Sequence, residues 1–202
     1  MAKLYFRYGA MNSGKSTALL QAAFNYEERG QQVLLAKPAT DTKGSTSIVS
    51  RLGVERDSDF QITSEDSIRE AFHAARGHAQ IACLLVDEAQ FLTREQVDDL
   101  LRIAVLDDVP VMTYGIRTDF RTKAFPGSAR LLELAHTLEE LKTICRCGRK
   151  AMFNGRRVGG RYIFEGDQVA IDGDCVEYES LCGACYLAES RGLLGPPLAS
   201  AR

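Results

Sequence analysis

Gly9, Ala10, Met11, Asn12, Ser13, Gly14, Lys15 and Ser16 satisfy the pattern G-x-x-x-x-G-K-[ST] at every fixed position. The segment before them, residues 4–8, is a short aromatic and apolar run that reads as a strand. The segment after them, residues 16–29, has helical periodicity through Leu19, Leu20, Ala23 and Phe24 and is stopped by Gly30. Residues 32–36 resume as a strand, closing a βαβ unit that should cross over right-handed into a parallel sheet. In a loop of this kind the glycines let successive backbone N–H groups turn inward around phosphate oxygens, and the helix N-terminus adds positive potential. Lys15 then neutralises the β- and γ-phosphates, and the Ser16 hydroxyl reaches Mg²⁺. A glycine turn with an incidental lysine is the bland alternative, which the strand–helix context disfavours.

The alternation of strand and helix continues. Residues 37–50, with Pro, Gly, Ser and Thr, read as a mobile loop; 64–76 as a helix with Ser64 and Ser67 as candidate caps; 81–86 as a fully apolar strand. Residues 93–104 read as a helix with Thr93 and Gln96 in capping-box spacing, 109–114 as a strand and 127–134 as a helix leading to 137–143. The texture then changes: glycine becomes frequent, paired cysteines appear and the strands become short and polar. A boundary near Ile144 divides the chain into an ATP-binding α/β part, 1–143, a metal-binding part, 144–189, and a frayed tail, 190–202.

Composition removes several classes. Lys and Arg total 25 against 27 Asp and Glu, a net charge of −2, which argues against a protein that lives on nonspecific contacts to nucleic-acid backbone. With 45% hydrophobic and 26% charged residues the chain is neither disordered nor collagen-like. The longest apolar stretch, 81–86, is far short of the ~20 residues of a membrane span, and no signal-peptide core follows Met1, so a cytoplasmic location is expected. In a reducing compartment the six cysteines, at 83, 145, 147, 175, 182 and 185, read as metal ligands or buried thiols.

Two groups carry chemistry beyond the phosphate loop. The apolar strand 81–86 runs into Asp87 and Glu88 at the edge where open α/β sheets bind ligands. Asp87 suits a Mg²⁺ anchor, and if strand geometry persists Glu88 points the other way, toward a nucleophile. Cys145 and Cys147, then Cys182 and Cys185, supply four thiolates for one closed tetrahedral zinc site, a fastening rather than a catalytic ion. Cys83 reads as core, and Cys175 as a stand-in only if one of those four ligands were missing. The excursion between the pairs, with Gly155, Gly159, Gly160, Gly166 and Gly173, is either a loop whose backbone approaches a ligand or a surface hairpin over 162–173.

Together with the phosphate loop and the paired cysteines, three segments form a set: Asp87-Glu88-Ala89-Gln90-Phe91, Tyr114-Gly115-Ile116-Arg117-Thr118-Asp119-Phe120 and Val176-Glu177-Tyr178. From about residue 3 to Tyr186 this set resembles the type II thymidine kinases. The resemblance implies a P-loop-type parallel sheet flanked by helices, with a small zinc-ribbon-like C-terminal domain carrying a lasso loop. It implies transfer of the ATP γ-phosphate to the 5′-hydroxyl of thymidine, deoxyuridine being the alternative acceptor, with Glu88 as general base. By the same resemblance the ATP contacts are Gly9, Ala10, Met11, Asn12, Ser13, Gly14, Lys15, Ser16, Asp87 and Gln90, with Ser16 and Asp87 on Mg²⁺. Met11, Phe91, Ile116, Phe120 and Phe125 fall where the family lines its thymine pocket. Val169, Ala170, Ile171, Asp172 and Gly173 fall where a lasso backbone holds the base, and Tyr178 where the sugar is met. A homotetramer and feedback inhibition by thymidine triphosphate are further implications.

This chain departs from the family pattern in three places. Its first cysteine pair is C-x-C, Cys185 stands where some members have His, and Lys43 stands where Arg often follows Asp-Thr, offering phosphate a point charge without a bidentate fork. The competing reading is a nucleic-acid-stimulated ATPase with a zinc ribbon. The lack of room for a second lobe counts against it, as do Glu165, Asp167, Asp172, Asp174, Glu177 and Glu179 in the cysteine-rich part. Neither nucleic acid nor a membrane is an expected partner.

Overall fold

A computed structural model describes residues 1–39, 46–168 and 176–194. In chain order it contains β1 (Leu4–Tyr8), α1 (Lys15–Glu27), β2 (Gln32–Pro38), β3 (Ser47–Val49), β4 (Glu55–Asp57), β5 (Phe60–Ile62), α2 (Ile68–Arg76) and β6 (Ile81–Val86). A single 3-10 turn, Ala89–Phe91, leads to α3 (Arg94–Leu106), β7 (Val111–Gly115), α4 (Pro126–Leu134) and β8 (Thr137–Glu140). The small elements β9 (Thr143–Ile144), β10 (Lys150–Ala151), β11 (Phe153–Val158), β12 (Arg161–Ile163), β13 (Val176–Leu181) and α5 (Gly183–Glu189) follow.

Six strands form one sheet in the order β5-β2-β6-β7-β1-β8, and every neighbouring pair is parallel. A parallel sheet needs cover on both faces, and the alternation of side chains along its strands supplies two cores. Leu34, Ala36, Leu84 and Val86 face Ile68 and Phe72 of α2, Val97, Leu100 and Ile103 of α3 and Leu131 of α4. Val33, Leu35, Cys83 and Leu85 face Leu19, Leu20 and Ala23 of α1. The continuous apolar run of β6 is thus the signature of a central strand, and Cys83 lies in the core as its sequence context indicates. The loop after β1 and the turn after β6 open at the same edge of the sheet, where ligands bind in this architecture.

The capping box before α3 forms in both directions, with Gln96 N donating to Thr93 Oγ1 at 3.2 Å and Thr93 N to Gln96 Oε1 at 3.0 Å. Helix α2 starts later than the pattern suggests: Ser67 caps it by accepting from Glu70 N, whereas Ser64 sits in a turn ahead of it. Strand β7 begins at Val111 because Pro110 has no N–H for the ladder; its carbonyl instead accepts from Leu84 N at 2.9 Å. Part of the expected loop 37–50 is structured, as β2 runs on to Pro38 and β3 pairs with β4 in a hairpin. Lys43 lies outside the described residues. Among those described, no helix is long and apolar enough to cross a membrane.

Beyond β8 the chain forms two small antiparallel sheets, β10-β9 and β12-β11-β13, and the helix α5. They close over Cys145, Ala151, Leu181, Cys182 and Tyr186, against which Phe153, Tyr162 and Phe164 pack. Within the described part of the excursion β11 and β12 form a hairpin around Gly159 and Gly160, both at positive φ; the hairpin expected over 162–173 runs beyond the described residues. Residues 169–173, Cys175 and residues 195–202 lie outside the described residues.

Candidate active site

The phosphate loop is shaped by three residues that tolerate unusual backbone geometry or close approach. A Cβ on Gly9 would sit 2.3 Å from Ser13 Oγ and 2.6 Å from the Leu141 carbonyl oxygen, so only glycine fits there. Asn12 at φ 66 and Gly14 at φ 77 make the left-handed reversals that lead into α1, whose first-turn N–H groups have no carbonyl partner within the helix. Ser13 Oγ is buried and has no hydrogen-bond partner among the described residues. An orphaned hydroxyl beside free N–H groups at a helix N-terminus is a surface made for an anion.

Lys15 Nζ donates to the Ala10 carbonyl at 3.0 Å. Burial lowers its pKa, Glu88 and Asp87 work in the opposite direction, and Arg51 in the β3–β4 hairpin adds a further positive charge that lowers it again. Ser16 Oγ donates to Asp87 Oδ2 at 2.9 Å, which places a hydroxyl and a carboxylate together as ligands for a hard cation. Burial, and then the neighbouring Glu88, push Asp87 up to about 6; a divalent ion would return it to the charged form.

Strand geometry ends at Val86, so the alternation expected of Asp87 and Glu88 does not persist. Instead Glu88 adopts φ 48, and its N–H donates to Asp87 Oδ1 at 3.0 Å. A left-handed glutamate is a strained feature of the kind that clusters at functional sites. The two carboxylates differ in their partners: Asp87 is tied to Ser16 and the turn backbone, Glu88 Oε2 to Gln90 Nε2. Gln90 itself is buried, and its Oε1 accepts from Ile116 N at 3.2 Å.

The apolar residues expected around a base are brought together in part. Phe91 and Phe125 meet edge to face with ring centroids 5.6 Å apart. Ile116 is tied to the residues flanking them, its N–H donating to Gln90 Oε1 and its carbonyl accepting from Ser128 Oγ at 2.6 Å. Phe120 is packed under the Arg156 guanidinium, 4.9 Å from the ring centroid, and its carbonyl accepts from Tyr186 Oη at 2.7 Å. Asp119 knots the loop that presents it, accepting from Arg121 N and Lys123 N, each at 2.8 Å. Tyr178 lies on β13, in register with Arg156.

The peptide groups of Met11 are held by the C-terminal elements. Met11 N donates to Asn154 Oδ1 at 2.7 Å and Met11 O accepts from Ser180 Oγ, while Asn154 Nδ2 donates to Thr118 O at 2.9 Å. Asn154, Ser180 and Arg51 carry no motif and escape a sequence reading, because each works through partners distant in the chain.

Cys145, Cys147, Cys182 and Cys185 bring their sulfurs within 4.8 Å of one another. Tetrahedral Zn–S bonds would set the sulfurs about 3.8 Å apart, so the cluster fits one ion with little adjustment. Gly148 at φ 81 closes the first knuckle and Cys182 caps α5 through Cys185 N, which is what brings a C-x-C and a C-x-x-C to one point. The Cys185 N–H holds the Cys182 thiol down at about 6, whereas the sulfurs of Cys147, Cys182 and Cys145 drive Cys185 up to about 12. Four sulfurs this close together are suited to sharing a divalent cation.

The family model for thymidine kinase matches residues 2–186. A thymidine kinase of Ruegeria pomeroyi is 50% identical over 184 residues, covering 90% of this chain and 92% of that protein. One from Legionella pneumophila strain Paris is 48% identical over 96% of this chain and 92% of its own length. One from Enterobacteria phage T4 is 49% identical over 90% and 94% respectively. With the phosphate loop, the acidic turn and the cysteine cluster all inside the matched span, the chain belongs to the thymidine kinase family.

Proposed function

We propose that the chain transfers the γ-phosphate of ATP to the 5′-hydroxyl of thymidine, with Glu88 accepting the hydroxyl proton. The observation that carries this reading is the pairing of Ser16 with Asp87 at 2.9 Å beside a differently partnered Glu88. It separates a cation-holding pair from a carboxylate available as base, the division of labour that phosphoryl transfer needs. Gly9 to Ser16 cradle the phosphates, Lys15 meets their charge and Ser13 gains the partner it lacks. Mg²⁺, when bound by Ser16 and Asp87, neutralises charge developing on the phosphate oxygens. Glu88 orients the 5′-hydroxyl for in-line attack and removes its proton as the oxygen bonds to the γ-phosphorus and the bond from that phosphorus to the β,γ-bridging oxygen breaks, releasing ADP.

Met11, Phe91, Ile116, Phe120 and Phe125 form the walls for a flat base carrying a methyl group, Tyr178 meets the sugar, and residues 169–173 hold the base edge. The four cysteines hold zinc in a fastening role within a lasso domain, 144–189, that rests on the ATP-binding part, 1–143, ahead of a tail, 190–202. The described cysteines are all unpaired, which suits the reducing cytoplasm. A homotetramer and inhibition by thymidine triphosphate follow from the family resemblance, and light scattering with and without that nucleotide tests the first of them. The activity is tested by following ADP formation with ATP, Mg²⁺ and either thymidine, deoxyuridine, deoxycytidine, single-stranded DNA or no addition. Nucleoside monophosphate formed with thymidine supports the reading; ADP released equally in all cases, or raised by DNA alone, contradicts it.

A further inference from the structure

We infer that Gln90 is a positioning residue that holds the Glu88 carboxylate, rather than a contact to ATP; this rests on the reading of Glu88 as proton acceptor. Gln90 is 1% exposed, and both ends of its amide are engaged. Its Nε2 donates to Glu88 Oε2 and its Oε1 accepts from Ile116 N at 3.2 Å. Only this orientation of the amide satisfies both partners, because a backbone N–H can only donate and a carboxylate only accept. The end of β7 is shaped to receive it: a Cβ on Gly115 would lie 2.7 Å from Gln90 Oε1 and 3.2 Å from Gln90 N.

The backbone of Glu88 is fixed independently. Its left-handed conformation is held by its own N–H on Asp87 Oδ1 at 3.0 Å and by Phe91 N donating to its carbonyl at 3.1 Å. What the backbone cannot fix is the carboxylate at the end of three further rotatable bonds, and Gln90 fixes that. With Oε2 tied, Oε1 is left without a partner among the described residues and is the oxygen that faces an incoming hydroxyl. The same amide is anchored on Ile116, a wall of the proposed base pocket, so one side chain connects the pocket to the base catalyst. Such an arrangement keeps the carboxylate aligned at the moment of attack, where a misplacement of about 1 Å costs on the order of 100-fold in rate.

Gln90→Met keeps length and volume and removes both hydrogen bonds. In the full-length enzyme it should lower kcat for thymidine about 10- to 100-fold while the Kd of a non-hydrolysable ATP analogue stays within about twofold. Placed on Glu88→Gln, it should cause no further loss, because the group it positions is already gone. Should Gln90→Met fail to fold, Gln90→Leu removes both hydrogen bonds without adding charge beside Asp87 and Glu88, and the same non-additivity is expected. Gly115→Ala, which crowds the amide without altering either partner, should reproduce the kcat loss. A weakened ATP analogue with kcat preserved, or equal fractional losses in the wild-type and Glu88→Gln backgrounds, overturns the positioning role and leaves the base assignment standing. Full turnover by Glu88→Gln alone overturns the base assignment itself.

Discussion

Ser16 and Asp87 are separated by 71 positions and meet at 2.9 Å because β1 and β6 end at the same edge of one parallel sheet. Both serve one proposed cation, so their substitution should not be independent. Ser16→Ala and Asp87→Asn should each lower kcat/KM for ATP about 100-fold, and the double variant should lose much less than the product, as steady-state kinetics across a Mg²⁺ series would show. Gly9→Ala should raise KM for ATP at least about 10-fold, since its Cβ has to displace the Ser13 hydroxyl and the Leu141 carbonyl. At this scale the phosphate loop and the acidic pair were legible, because phosphate chemistry demands given residue types at consecutive positions. Gln90 was named with the acidic turn, but its bond to Ile116 N, 26 positions away, was not legible, and neither was Asn154, whose partner Met11 lies 143 positions away.

Among elements, the long ones announced themselves and the short ones did not. Strand β6 and helix α3 carry an apolar run and a capping box that have one good structural solution. The hairpin β3–β4 has three residues in each strand, too few to display a period, and is recognisable only once Ile48 is seen buried against the face covered by α1. Helix α5 has seven residues and is set by its cap, Cys182, whose position belongs to the metal cluster and not to helix propensity. The change of texture near Ile144 was visible in the sequence, but the grip of β11 and β13 on Met11 was not. Asn154→Ala leaves Met11 N–H and Thr118 C=O without their partner and should cost about 1–3 kcal/mol, measurable by urea unfolding, together with a higher KM for ATP.

For the molecule as a whole, two cores on opposite faces of the sheet fix the frame, and Cys145 and Cys182 of the cysteine cluster sit in a separate small core with Tyr186, Leu181 and Ala151, which a bound zinc would fasten. Tyr186 Oη on the Phe120 carbonyl and Asn154 on Met11 make that small core part of the site's support. Purified protein should therefore contain one zinc per chain by elemental analysis, and its removal with a strong chelator should lower Tm and thymidine phosphorylation together. A metal-free chain of unchanged Tm would contradict the fastening role. The central claim is that Glu88 accepts the proton while the phosphate loop and Asp87 hold the nucleotide, and single-turnover phosphorylation of thymidine by Glu88→Gln tests it most directly. The account predicts a rate lower by at least about 100-fold with ATP-analogue affinity unchanged within about twofold; a variant that keeps most of its rate, or that loses the nucleotide instead, would contradict it.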